Sequence, residues 1–454
     1  MLALTSCVRF HPQPINPAKN IADFESRTLD HPDLKKFLEQ NLTRDISWPP
    51  PSWDFNQLTL AAFYYHPDLD VARAKWAVAK GGKITAGERP NPTVSFSPAY
   101  NATTPPPWIL GGSFDIPIET AGKRGYRIAQ AKNLSEAARF NIATVAWSVR
   151  HRVRKSLVAL YAATERESLL KKQDAIQSEI VGLLEGQLSA GGVSRFEVTQ
   201  SRLALNNVRL SWHDAQIQLA QSKIDLASAV GLAASAFHQV KISFAGLDQI
   251  PAKISYQEIR HNALLSRADL LGALADYAAA ESAFHLEIAR QYPDIHLSPG
   301  YTLDQTDDKW GLGLSATLPV FNHNRGAIAE ADARRQEVAA RFNALQSSVL
   351  GEIDRAFAGY RSVLEKNSAA QTLLDDQTQQ AQLSKALWEA GEISRQDLAF
   401  SQIELTTAKL SRLNVLVQTQ EALGVLEEAV QRPIAQTGTV FAIPSDRPNE
   451  EKKK

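Results

Sequence analysis

The sequence predicts a mainly α-helical chain with a membrane β-barrel portion: duplicated long helical hairpins that form a trimeric α-barrel, and four strands per chain that contribute to a twelve-stranded β-barrel. Three observations carry the hairpins and the strands. The chain repeats itself at an offset of 200 to 202 residues. Each copy holds a proline-free stretch of about 65 residues rich in Ala, Leu, Gln, Glu and Arg. Each copy also holds two segments of about nine to eleven residues that alternate apolar and small or polar side chains.

The repeat is legible in local motifs. Pro92, Ser97-Pro98 and Tyr100 return as Pro293, Ser298-Pro299 and Tyr301, and Arg124-Gly125 returns as Arg325-Gly326. Ala190-Gly191 with Ser194-Arg195 and Ser201 returns as Ala390-Gly391 with Ser394-Arg395 and Ser401. The chain therefore divides into residues 1–53, an extended proline-rich arm with one modest helix near 21–42; residues 54–250 and 251–432, the two copies; and residues 433–454, a disordered tail.

Within each copy the first element is a helix over 67–89 or 268–290. Two strands follow. Val94, Phe96 and Tyr100 alternate in the first copy, and Ile295, Leu297, Tyr301 and Leu303 in the second. Their partners carry Trp108, Leu110, Gly112, Phe114 and Ile116, and Trp310, Leu312, Leu314, Ala316 and Leu318. Such lengths suit a tilted strand crossing a bilayer, with aromatic ends at the interface. Four strands cannot close a barrel and open edges are not tolerated in lipid, so several chains must pool their strands. Eight strands fill their interior with side chains, whereas twelve leave a channel.

The long helices span 124–189 and 325–390, roughly 100 Å at about 1.5 Å per residue. Ile142, Val145, Val149, Val153, Leu157 and Leu160 step by three and four along one face and make a seam. Return helices over 194–230 and 394–431 follow after about three residues, the second with Leu416, Leu423 and Val430 at seven-residue steps. Gly191 and Gly391 suit the left-handed residue that ends a helix, and Ser194 with Glu197, like Ser394 with Asp397, makes a capping box that starts the next. Each pair is an antiparallel hairpin. The two shorter helices of a copy, about 36 Å and about 56 Å, stack to nearly the length of the long one and give four helical columns per chain.

Composition narrows function further. Lys plus Arg and Asp plus Glu number 49 each, so no bulk positive charge invites nucleic acid. One cysteine excludes an intramolecular disulfide framework and a cysteine-based zinc site. The histidines show no pair at helical spacing, so each reads as a packed or solvated surface residue, and no metal is expected. Neither a phosphate-binding loop nor an orderable Ser-His-Asp set is present, so no catalysis and no cofactor are expected.

Two helix, strand-pair, long-helix, turn and return-helix units with Ala-Gly and Ser-Arg at both turns resemble the TolC-type outer-membrane factors over residues 53–432. Leu4, Thr5, Ser6 and Cys7 resemble a lipobox, and with the proline-rich arm are similar to the lipid-anchored, metal- and drug-efflux branch. Only six residues precede Cys7, fewer than a working signal needs, so lipidation of Cys7 requires an upstream start; otherwise the thiol is inert.

The resemblance implies a homotrimeric outer-membrane export duct with a helical tunnel in the periplasm. Its partners would be a periplasmic adaptor, an inner-membrane RND-type or ABC-type pump that supplies the energy, and outer-membrane lipid. The hairpin tips, 188–196 and 388–396, would meet the adaptor through Gly191, Ser194, Arg195, Gly391, Ser394 and Arg395. Glu197, Asp397 and Trp388 would line the periplasmic aperture, although turn and capping chemistry alone accounts for the glycines, serines and carboxylates. Small-molecule efflux and protein secretion share this architecture. The alternative from another class is a soluble, elongated coiled-coil scaffold.

Overall fold

The structure is a computed structural model and describes residues 10–42, 47–238 and 240–434. Cys7 and the C-terminal tail beyond residue 434 lie outside the described residues.

The arm forms two helices, α1 (Pro17–Glu25) and α2 (Pro32–Asn41), where the sequence suggested one. Pro32 lacks the N–H that a continuing helix would donate, so the chain breaks before it and restarts with proline in the first turn. Leu34, Phe37 and Leu38 of α2 are buried and join a cluster with α3 (Phe55–Tyr65). Helix α3 was not expected from the sequence. Eight of its eleven residues are buried, on every side, so it shows no one-sided apolar stripe for periodicity to reveal.

Helix α4 (Pro67–Gly87) leads into strands β1 (Thr93–Tyr100) and β2 (Trp108–Ile118), then into α5 (Lys123–Ser189) and α6 (Arg195–Val230). The second copy repeats this as α7 (Tyr256–Ser266), α8 (Ala268–Ala289), β3 (Ile295–Asp304), β4 (Asp307–Ala316), α9 (Arg325–Glu389) and α10 (Arg395–Val430). With 67 and 65 residues, α5 and α9 are each about 100 Å long.

Both hairpin turns are built alike. Gly191 and Gly391 take φ of 75° and 77°, a region costly for residues with a Cβ. At the first turn Gly192 N donates to Gln187 O and Gly191 N to Leu188 O; at the second, Glu392 N donates to Leu387 O and Gly391 N to Trp388 O. These satisfy carbonyls that the helix end leaves open. Both predicted capping boxes are present and start α6 and α10.

Side by side, the columns run α4 with α6, then α5, then α8 with α10, then α9. Ile142, Val149, Val153, Leu157 and Leu160 of the predicted seam are buried, as are Leu416, Leu423 and Val430. Near its middle α5 also shares a buried ion cluster with the C-terminal turns of α10. Arg150 and Arg154 both donate to Glu427 Oε2, at 2.6 and 3.0 Å, and Arg154 donates to Gln420 Oε1 at 2.7 Å. Ile434 N donates to Glu427 Oε1.

The strands form one antiparallel sheet in the order β1-β2-β3-β4. Strand β4 ends at Ala316 rather than at Leu318, because Ala316 already pairs with Ile295, the first residue of β3. Beyond it β3 offers no further strand residue to pair with.

Candidate functional site

The register sorts the sheet into two chemically distinct faces. Thr93 pairs with Asp115, which lies opposite Ser298, and Ser298 pairs with Gly313. Since side chains alternate along each strand, Ser95, Ser97, Ser113, Asp115, His296, Ser298, Thr302 and Ser315 share one face. The other face carries Val94, Phe96, Leu110, Phe114, Ile116, Leu297, Leu312 and Leu314. Phe96, Trp310, Leu312 and Leu314 are each at least 70% exposed. An apolar surface this continuous is stable against lipid rather than water.

Cross-strand aromatic pairs mark one end of the apolar face. Tyr100 meets Trp108 edge-on at 5.2 Å, and Tyr301 meets Trp310 at 4.8 Å. Both pairs sit where the β1–β2 and β3–β4 connections turn, at the end far from the helices, as an interfacial girdle would. On the opposite face two glycines sit close against the neighbouring strand. A Cβ on Gly111 would stand 2.8 Å from Ser97 Oγ, and one on Gly313 would lie 3.3 Å from Ser298 Cβ.

Both edges of the assembly are open within one chain. β1 and β4 have a partner on one side only, and the columns α4/α6 and α9 likewise end the helical layer. The strands and the helices follow the same order, so one rotation about a common axis would close both layers.

At the hairpin tips, Gly191, Gly391, Ser194 and Ser394 serve the turns and caps described above. One carboxylate oxygen of each acidic residue does the capping. Ser194 N and Oγ donate to Glu197 Oε2 at 2.7 and 2.9 Å, and Ser394 N and Oγ donate to Asp397 Oδ2 at 3.0 and 2.6 Å. The backbone N–H and hydroxyl of Ser194 hold the Glu197 carboxyl below its ordinary value, and the hydroxyl and N–H of Ser394 do the same for Asp397. Both residues are exposed and ionised at neutral pH.

The two arginines differ despite their equivalent positions. Arg195 is exposed, with no ion pair among the described residues. Arg395 forms a two-pronged salt bridge to Glu179 of α5, and its guanidinium lies 5.0 Å from the Trp388 ring. Trp388 therefore packs against a cation that ties the second tip to the first hairpin. Ile180, Leu184, Val198 and Ala399 form a small apolar cluster beside this bridge. Sequence reasoning missed Glu179, since it lies 216 residues from Arg395 and carries no local signal. It also missed the contact of His296 with Asp115, which only strand register creates.

No helix of the described residues is long and apolar enough to cross a membrane. No group of three or more His, Cys, Asp and Glu that could hold a metal ion occurs among them. A sheet with one lipid-suited face, continued by a layer of helices about 100 Å long, defines a subunit of a membrane barrel with an attached helical tunnel.

The model of the outer membrane efflux protein family matches residues 63–232 and 259–430, one match per copy of the repeat. The cobalt-zinc-cadmium resistance protein CzcC of Cupriavidus metallidurans is 25% identical over 371 residues, covering 80% of this chain and 87% of that protein. The solved outer-membrane protein VceC of Vibrio cholerae superposes with a TM-score of 0.66 at 20% identity, over 83% of this chain and 95% of VceC. The open-state MtrE outer-membrane channel of Neisseria gonorrhoeae gives 0.67 at 15% identity, over 85% and 91%. The chain belongs to the outer membrane efflux protein family and is a TolC-type outer-membrane factor. It is an efflux channel of the outer membrane with its helical tunnel in the periplasm, and not an enzyme. The soluble-scaffold alternative is thereby set aside.

Proposed function

We propose that three copies of the chain close into one duct that passes small toxic solutes, divalent transition-metal ions foremost, from a periplasmic adaptor and an inner-membrane RND-type or ABC-type pump to the exterior. The observation that carries the assembly is a stripe on the open edge. Phe196, Leu203, Leu210, Ile217 and Ile224 of α6 recur every seven residues and are 53% to 70% exposed. Seven-residue spacing of apolar side chains is the signature of a helix seam that wants a partner. In the second copy Ile403, Leu410 and Val417 hold the equivalent places on α10 and are half-buried, because α10 lies between α5 and α9.

The same cover for α6 is available from α9 of a neighbouring copy, the other open edge. Three copies bring twelve strands, enough for a lumen, whereas two would bring eight, whose interior side chains fill. The likeness to a protein named for cobalt, zinc and cadmium resistance supports metal ions as cargo. In the duct, the tips with Gly191, Ser194, Arg195, Gly391, Ser394 and Arg395 meet the adaptor. The uncapped oxygens of Glu197 and Asp397 ring the aperture, where six carboxylates favour cations.

The test is deletion of the gene in its host with complementation in trans. Loss of tolerance to zinc, cobalt or cadmium, restored by the gene, is expected. Unchanged metal tolerance with a defect in drug resistance or in secretion of a protein would overturn the metal assignment and name the true cargo.

A further inference from the structure

We propose that His296, oriented by Asp115, is a transit ligand on the barrel lumen for borderline divalent cations such as Zn²⁺, Co²⁺ and Cd²⁺. The cargo side of this rests on the metal-efflux reading above; the binding chemistry rests on the sheet itself.

His296 lies on the polar face of β3, near the end of the sheet that joins the helices, and its side chain is 37% exposed. Its Nδ1 is 2.9 Å from Asp115 Oδ2, on the neighbouring strand β2. The other oxygen of that carboxylate accepts from Ser298 Oγ at 3.1 Å, so Asp115 is itself fixed. An imidazole nitrogen facing a carboxylate carries the ring proton, which leaves the lone pair on Nε2. No hydrogen bond engages Nε2 among the described residues. A carboxylate behind an imidazole sets its tautomer and orientation and raises its basicity toward a metal, as in the outer shell of many zinc sites.

The neighbouring groups do not compete for this nitrogen. Ser315, across the ladder on β4, is neutral. Pro117, across on β2, has no polar side chain. Asp294 accepts from Lys123 Nζ at 2.7 Å and from Thr120 N at 2.9 Å, and Lys123 also donates to Tyr292 O. Those two charges neutralise each other outside the strand.

The fold does not demand a histidine here. The repeat places Ser95 of β1 where β3 has His296, while Ser97 and Ser298 correspond. The imidazole is thus an addition to one copy on a wall lined mainly by serine, threonine and glycine, with Asp115 beside it and Asp304 and Lys309 toward the far end. Imidazole prefers Zn²⁺, Co²⁺ and related ions over Mg²⁺, which prefers oxygen. A single imidazole supplies one protein ligand, so a bound ion keeps most of its water and leaves readily, as passage requires.

The experiment is single-channel recording of the purified assembly in planar bilayers, with ZnCl₂ or MgCl₂ titrated into a potassium chloride solution. Zinc should reduce or modulate the current saturably and magnesium at equal concentration should not. His296→Gln, and His296→Ser as the residue the other copy carries there, should remove the zinc response while leaving the conductance in potassium chloride unchanged. Asp115→Asn should raise the zinc concentration for half-effect by tenfold or more. A wild-type channel indifferent to zinc, or a response equal in wild type and either His296 variant, would overturn the site. These outcomes are independent of cargo: a deletion strain with unchanged metal tolerance sinks the efflux reading without altering the bilayer result.

Discussion

Replacing Glu427 by glutamine strips the carboxylate from a cluster that holds two guanidiniums. Arg150 and Arg154 are 4% and 7% exposed and Glu427 is 1% exposed, so solvent cannot take over the lost charge. Glutamine can still accept hydrogen bonds, but the two cations then face each other uncompensated. Breaking a buried pair in this way costs about 3–5 kcal/mol. Removing all three charges, as Arg150→Met, Arg154→Met and Glu427→Leu, leaves Gln420 Oε1 short of its donor and Ile434 N short of its acceptor, but no buried charge unpaired; such an exchange of a buried ion triad for apolar residues ranges from neutral to stabilising by about 1–4 kcal/mol. The triple variant should therefore be more stable than the single one.

Denaturation midpoints of the detergent-solubilised protein, followed by far-ultraviolet circular dichroism, measure both. The pH dependence provides a second readout. Burial alone would raise the Glu427 carboxyl, but Arg150 and Arg154 outweigh it and hold the group below its ordinary value. A depressed carboxyl contributes stability above its unfolded pKa and loses it as pH falls through the folded value. The gap between wild type and Glu427→Gln should stay constant around neutrality and close only in strong acid. A single variant within about 1 kcal/mol of wild type, or a triple variant no more stable than the single, would refute the reasoning.

Glu197→Gln with Asp397→Asn should keep the fold and lower the denaturation midpoint only slightly, since the amides keep the capping acceptor but lose its charge, yet lower cation selectivity in planar bilayers; unchanged selectivity would leave capping as their sole role. The salt dependence of that selectivity should weaken too, because fixed charges act over about 10 Å at 0.1 M salt. Leu210→Glu with Ile217→Glu places charge in the exposed stripe of α6 and should convert trimers to monomers in native mass spectrometry, and persistence of the trimer would move the interface elsewhere. Cys7→Ser, expressed from an upstream start, should abolish acylation seen by peptide mass spectrometry while the strands still insert; an unmodified wild-type Cys7 would remove the anchor.

The sequence alone determined whatever depends on neighbours along the chain. Capping boxes, left-handed glycines and proline breaks act within four residues, so the hairpin turns at Gly191 and Gly391 and the starts of α6 and α10 were legible. Strand faces were legible for the same reason, since alternation is a property of the backbone. Helix α3 escaped because burial on all sides erases the periodicity that announces a helix.

Tertiary structure decided everything that joins distant segments. The seven-residue pattern is present on both return helices, but only packing makes α10 an inner column and leaves Leu210 and Ile217 of α6 open. Glu427 meets arginines 273 and 277 residues away, and Arg395 meets Glu179 across 216. His296 acquires Asp115 because the register of β2 against β3 sets them on one face. Side chains so far apart in sequence exert no force on each other in the unfolded chain, so their pairing becomes definite only when the helices and strands that carry them are in place.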